Sequence, residues 1–158
     1  MQDPESYEWS GYTDIREKLV ALARSTLGTP YKFGAKPEDA PEAFDCSSWT
    51  QYLYRQFGLE LPRSGIAQAA SIQKVTGTCK VGDLLFFQGG KGHYDDSLFP
   101  DEPNRIYIGH VAMYVGDGKI IHANGKTRSV AEITWQDLPE AAVRIGRVLA
   151  PLPRPTNF

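Results

Sequence analysis

Apolar positions in the first half of the chain recur at helical spacing. Ile15, Leu19, Leu22 and Ala23 share one face of a stretch that Thr13 can cap, predicting a helix over residues 14–27 that Gly28-Thr29-Pro30 stops. Trp49, Leu53 and Phe57 repeat every four residues behind Asp45, a good N-cap, so a second helix begins at Cys46 and is closed by Gly58. Ser64 can cap a third helix running to about Gln73.

Beyond that point the pattern changes to short apolar runs bounded by turn residues. Val81-Gly82-Asp83 leads into a buried strand, Leu84-Leu85-Phe86-Phe87, and residues 143–149 read as a last strand. Residues 110–115 and 119–124 form a hairpin around Gly116-Asp117-Gly118, and Thr134-Trp135-Gln136-Asp137-Leu138 reads as one helical turn. Helices first and antiparallel strands second predict an α+β domain, its helices packed on one side of a central sheet. The domain covers residues 13–150. A lead-in precedes it (residues 1–12, with Tyr7, Trp9 and Tyr12 placed to strap the body), and a Pro-rich tail, residues 151–158, follows.

The hairpin register carries chemical information. A three-residue loop with Gly118 left-handed sets Val115 against Lys119, His122 against Ala112 and His110 against Asn124. His110 and His122 then become diagonal neighbours on one face, roughly 7 Å apart. A two-residue loop would shift the pairing by one and part them.

Composition narrows the function without choosing it. With 158 residues, 41% hydrophobic and 23% charged, the chain has the make-up of a single globular domain with a proper core. A formal net charge of −2 and no basic block argue against a nucleic-acid partner, and no apolar run reaches membrane-spanning length. The acidic start, Met1-Gln2-Asp3-Pro4-Glu5, does not resemble a secretory signal. Either the protein works in the cytoplasm or a signal or leading domain belongs ahead of this sequence. Two cysteines make no disulfide framework.

Cys46 is the candidate nucleophile. In the first turn of a capped helix, unpaired amides and the macrodipole favour negative charge, so its thiol is expected to have a lowered pKa. His110 can take and return the proton while His122 fixes its tautomer. The Cys46 backbone N–H can receive an oxyanion, and the Tyr31 hydroxyl can add a second donor. Two plainer readings use the same residues. One is a packed cysteine with two satisfied histidines. The other is a zinc site of Cys46, Cys79, His110 and His122, which the absence of CxxC or HxxxH spacing disfavours.

Six stretches in order resemble the NlpC/P60 family of papain-like cysteine peptidases: Pro30-Tyr31-Lys32-Phe33-Gly34-Ala35, Phe44-Asp45-Cys46-Ser47-Ser48, and Leu61-Pro62-Arg63-Ser64 with Gln68, then Gly82-Asp83-Leu84-Leu85-Phe86-Phe87, Gly109-His110-Val111-Ala112-Met113-Tyr114-Val115-Gly116, and Ile121-His122-Ala123. The resemblance runs from about Ile15 to Leu149. It implies Cys46 as nucleophile, His110 as base, His122 as orienting residue and Tyr31 beside them. It also implies that Asp45 and Ser47 help bind a substrate's free amino end, with Arg63 and Ser64 as further substrate-binding candidates. The implied substrates are peptidoglycan stem peptides, cleaved between D-γ-glutamate and a diamino acid by a monomer with no cofactor and no metal. That activity belongs to the cell envelope or outside the cell, or to cytoplasmic recycling of wall fragments.

Ala35, Ser48 and Ala112 replace glycines common in the family, small for small. The stretch 88–108 is longer than the usual link; its His93, Tyr94, Asp95 and Asp96 are candidates to line or cover a cleft, and its acids to make the entrance negative. The alternative function on the same scaffold is an acyl or amide transferase, or a non-catalytic peptide-binding relative.

Overall fold

The structure, a computed structural model, describes residues 4–148 apart from Lys91, with side chains from Ile15 onward. The side chains of Tyr7, Trp9 and Tyr12, Leu149 at the end of the expected last strand, and the tail lie outside the described residues. Helix α1 spans Pro4–Ser25, α2 Cys46–Arg55 and α3 Gly65–Ser71. The strands are β1 (Gln73–Lys74), β2 (Leu84–Phe87), β3 (His110–Gly116), β4 (Lys119–Asn124), β5 (Ser129–Thr134) and β6 (Arg144–Arg147). They form one antiparallel sheet in the order β1-β6-β2-β3-β4-β5.

α1 begins well before the predicted start at residue 14. Proline is tolerated in a first helical turn, and the lone Gly11 between Pro4 and Thr13 weakens a helix by only about 1 kcal/mol. At the other end Ser25 and Thr26 return their hydroxyls to the carbonyls of Leu22 and Ala23, and the helix stops at Ser25. α3 stops at Ser71, because the chain turns extended at Ile72 and enters β1.

The helical layer buries the predicted stripe. Trp49, Leu53 and Phe57 are fully buried against Leu84, Phe86, Val111, Met113 and Ile121. Burial of each such side chain contributes about 1.5–3 kcal/mol. Trp49 Nε1 also donates to Thr26 Oγ1 at 2.9 Å, tying α2 to the end of α1. A smaller cluster of Leu85, Phe87, Ala112 and Ile120 occupies the other parity of the strands, with Trp135 and Leu138 packed on it. Trp135–Asp137 is a single 3-10 turn, as the sequence suggests.

The hairpin differs from the expected loop. Gly116 pairs with Lys119, leaving a two-residue turn with both φ angles positive, 54° at Asp117 and 70° at Gly118. A two-residue turn alone would have parted the histidines. One extra residue, Val115, bulges between the pairs Gly116↔Lys119 and Tyr114↔Ile120 and moves the register back by one. From Tyr114 inward the pairing is the one that the histidines require.

Candidate active site

Asp45 builds the start of α2. Its Oδ1 accepts from Ser48 N at 2.8 Å while its own N–H donates to Ser48 Oγ at 2.9 Å, a reciprocal cap. Arg63 reaches in from the loop before α3. It donates to Asp45 Oδ2 at 2.5 Å, to Ser47 Oγ at 2.7 Å and to the Ala35 carbonyl at 2.7 Å. Asp45 and Ser47 are buried, whereas the Arg63 side chain is 42% exposed, so this cluster opens to solvent through the guanidinium. Ser64 caps α3, accepting from Ala67 N, and its exposed hydroxyl keeps a hydrogen to donate.

Gln68 is a residue whose role the sequence did not disclose. Fully buried, it donates to the carbonyls of Ser47 and Pro62 and accepts from Thr50 Oγ1. It thereby locks the first turn of α2 to the Arg63 loop. Its only sequence signal is its place four residues after Ser64.

The thiol of Cys46 meets the sheet where β3 and β4 separate. Among the described residues the β3–β4 ladder runs from Gly116↔Lys119 to Met113↔Ile121 and no further. The Val111 amide, just beyond that end, acts on the Cys46 sulfur, as does the amide of Ser47. Burial nevertheless pushes the Cys46 thiol above its ordinary value, with the Asp45 carboxylate adding to the rise; the two amides and Arg63 oppose it. The lowered pKa expected from the helix terminus is therefore overturned. Desolvation outweighs the partial charge of one helix end, and the neighbouring imidazoles are neutral.

His110 Nε2 and His122 Nδ1 lie 2.7 Å apart, with the rings edge to face and 5.0 Å between centroids. His110 rests on Phe87, its partner across β2. Burial lowers both imidazoles, His110 to about 3 with the His122 charge as a second cause, and His122 to about 4. Since Nε2 of His110 is engaged, Nδ1 is the nitrogen left for a thiol proton.

Tyr31 completes the group. It is held by a bridge to Phe44, the residue before Asp45, and its phenol is raised by burial first and then by Cys46 and Asp45. Cys79 is elsewhere. Its thiol is pushed up to about 12 by burial and the Asp83 carboxylate, and it packs with the smaller cluster. A shared Cys₂His₂ site is thus ruled out by placement.

Three of the four acids in the 88–108 stretch are paired with cations. Asp95 accepts from Ser97, Asp96 pairs with Arg105 at 3.0 Å, and Asp101 and Glu102 pair with Arg144 at 3.1 and 2.7 Å. Lys74 adds a second cation to Glu102 at 2.8 Å. Phe99 and Ile108 are buried in the main core. Asp96, Asp101 and Glu102 are thus offset by cations, whereas the Ser97 hydroxyl and amide leave the charge of Asp95 in place.

A capped cysteine, a contacting pair of histidines and a tyrosine thus stand together on an α+β scaffold. The NlpC/P60 family model matches residues 28–145, and the chain belongs to that family. A "Probable endopeptidase p60" of Listeria seeligeri is 34% identical over 131 residues, 82% of this chain and 22% of its own length. The chain thus spans about a fifth of the length of the curated Listeria relatives it matches. An NlpC/P60 family protein of Bacillus cereus superposes with TM-score 0.68 at 28% identity, covering 85% of this chain and 40% of that one. The NlpC/p60 domain of the peptidoglycan hydrolase SagA gives TM-score 0.64 at 29% identity, covering 84% and 98%.

Proposed function

We propose that this chain is a cysteine endopeptidase acting on peptidoglycan stem peptides, hydrolysing the amide between D-γ-glutamate and a diamino acid, with residues 13–150 as the catalytic unit. The observation that carries the reading is the 2.7 Å contact of His110 Nε2 with His122 Nδ1, together with the amide of Val111, the residue after His110, on the Cys46 sulfur. Names of the relatives supply the substrate class.

His110 Nε2–H donates to His122 Nδ1, which leaves the Nδ1 lone pair to take the Cys46 proton. The sulfur attacks the scissile carbonyl carbon as the proton transfers, since the resting pair is neutral. The oxyanion is received by the Cys46 N–H, an unpaired first-turn amide, and by the Tyr31 hydroxyl. Collapse breaks the C–N bond, and His110 returns its proton to the leaving amine. Water, deprotonated by His110, then cleaves the thioester and restores the thiol. Asp45 and Ser47, with Arg63, receive the amino end of the acyl part.

Intact-protein mass spectrometry during turnover tests this. A stem peptide should add its acyl fragment to wild-type protein and not to Cys46→Ala. Adding a free amine distinguishes the transferase alternative: hydrolysis gives free acid in its presence, transfer gives the new amide. No acyl adduct and no cleaved peptide would refute the reading.

A further inference from the structure

The cluster at the start of α2 holds two kinds of polar group, and only one kind suits an amino end. Asp45 and Ser47 bring oxygens to which an ammonium group can donate. Arg63 brings a positive charge and N–H donors alone, so it accepts nothing from an ammonium group and repels it. Its contacts within the protein leave part of that donor set unused. Both Nη2 hydrogens are taken, by Asp45 Oδ2 at 2.5 Å and the Ala35 carbonyl at 2.7 Å, and one Nη1 hydrogen goes to Ser47 Oγ at 2.7 Å. The Nε–H and the second Nη1 hydrogen meet no acceptor among the described residues, and Arg63 is exposed.

Arg63 also stands at the reacting end of the cluster. The hydroxyl that it grips belongs to Ser47, the residue after the nucleophile. Its charge acts on both the Cys46 thiol and the Tyr31 phenol, opposing the rise that burial imposes on each. Gln68 fixes the arrangement from behind, donating to the carbonyls of Ser47 and of Pro62, the residue before Arg63. The guanidinium is thus built into place beside the thiol, unlike a surface charge on a free side chain.

The unused donors describe the rest of the ligand. An acyl part carrying only an amine would fill the Asp45 and Ser47 oxygens and leave Arg63 without an acceptor. One that also carries a carboxylate close by would fill both halves of the cluster. A γ-linked glutamyl residue has that form. Its side-chain carboxyl makes the scissile amide, so its α-carboxylate stays free on the same carbon that bears the nitrogen. In an α-linked residue the free carboxylate is carried two carbons away from the nitrogen-bearing one.

We infer that Arg63 is the carboxylate-recognising residue of the acyl side, receiving the free α-carboxylate of a γ-linked glutamyl residue and so distinguishing it from the neutral α-carboxamide. This rests on the peptidase reading above. The two unused donors lie on different edges of the guanidinium, so the carboxylate takes one charge-assisted hydrogen bond and no bidentate pair. Asp45 already shares the charge and solvent screens it, which keeps the discrimination modest.

The test compares stem peptides that differ only in a free α-carboxylate or an α-carboxamide on the γ-linked glutamyl residue, with wild type, Arg63→Gln and Arg63→Lys. Wild type should favour the carboxylate by about three- to tenfold in kcat/KM, the scale of one partly exposed charge contact. Arg63→Gln should bring that ratio close to one. Arg63→Lys keeps a cation for Asp45 but loses the Nε–H and should at least halve the preference, so a variant decides even where the Gln chain does not fold. Protection of Cys46 from iodoacetamide by each peptide is a second readout that needs no turnover. Preferential protection by the carboxylate form, diminished in the variants, upholds the role of Arg63 even where neither peptide is cleaved, and then only the peptidase reading falls. Cleavage of both peptides by wild type at equal kcat/KM with equal protection leaves the peptidase reading standing and overturns this one. A preference that survives unchanged in either folded variant overturns it too.

Discussion

His110 Nε2 stands 2.7 Å from His122 Nδ1, and that contact exists because Val115 bulges out of β3. His122 is fully buried, its Nδ1 on His110 and its Nε2 without a hydrogen-bond partner among the described residues, so packing holds the ring that in turn holds His110. The pair is unequal: one ring is placed to exchange protons, the other to hold it.

Loss of each ring should therefore differ. His110→Ala should lower kcat/KM by about a hundredfold or more, the usual worth of a general base. At position 122, Asn can still accept the Nε2–H of His110 and Leu cannot. His122→Asn should retain several times the activity of His122→Leu. Equal activity of the Asn and Leu variants would show that the contact does not set the tautomer.

Acid should destabilise the fold through the same rings. Both imidazoles titrate near 6.5 when unfolded and, in the folded chain, only near 3 and 4. Between those values the unfolded chain binds more protons, so this stability is present above about pH 6.5 and lost as pH falls towards 4. Tm measured across that window should decline, and His122→Asn should decline less steeply. A variant with the wild-type slope would assign the loss to other groups.

Both thiols are raised, but Cys79 is opposed by a carboxylate that it hydrogen-bonds, while Cys46 keeps two amides on its sulfur. Iodoacetamide should label Cys46 first, and its rate should still be climbing at pH 9. A plateau below pH 8 would indicate a preformed thiolate and contradict the neutral resting pair.

Much of this site was legible because it is local. The Asp45 cap, the spacing of Trp49, Leu53 and Phe57, and the Ser64 cap are written within a few residues of one another, and α2 and α3 begin where they predict. β5 was not foreseen, because Val130 is its only fully buried residue and no clean alternation marks it. The thiol's direction of shift was missed for a similar reason. A helix terminus is visible in sequence, whereas the desolvation that overrides it comes from packing β3 against α2. The bulge at Val115 shows the two kinds of information meeting: the Asp-Gly turn is local, and the extra residue that rescues the histidine register is set by the sheet.

The ion pairs holding the 88–108 stretch should be worth unequal amounts. Glu102 is nearly buried between Arg144 and Lys74, while Asp96 and Arg105 are both exposed. Glu102→Leu should cost about 2 kcal/mol or more of stability, because it strips a buried guanidinium of its closest acceptor. Asp96→Leu should cost less than about 1 kcal/mol. Denaturant unfolding compares them, and equal losses would show that Arg144 is satisfied without Glu102.

The most direct measurement is a digest of purified peptidoglycan by wild type and by Cys46→Ser, with released fragments identified by mass spectrometry. Wild type should generate new ends at the D-γ-glutamyl–diamino acid amide, and the folded variant should generate none. Release of the same fragments by Cys46→Ser, or cleavage only at other bonds by wild type, would contradict the assignment of Cys46 as the nucleophile of a stem-peptide endopeptidase.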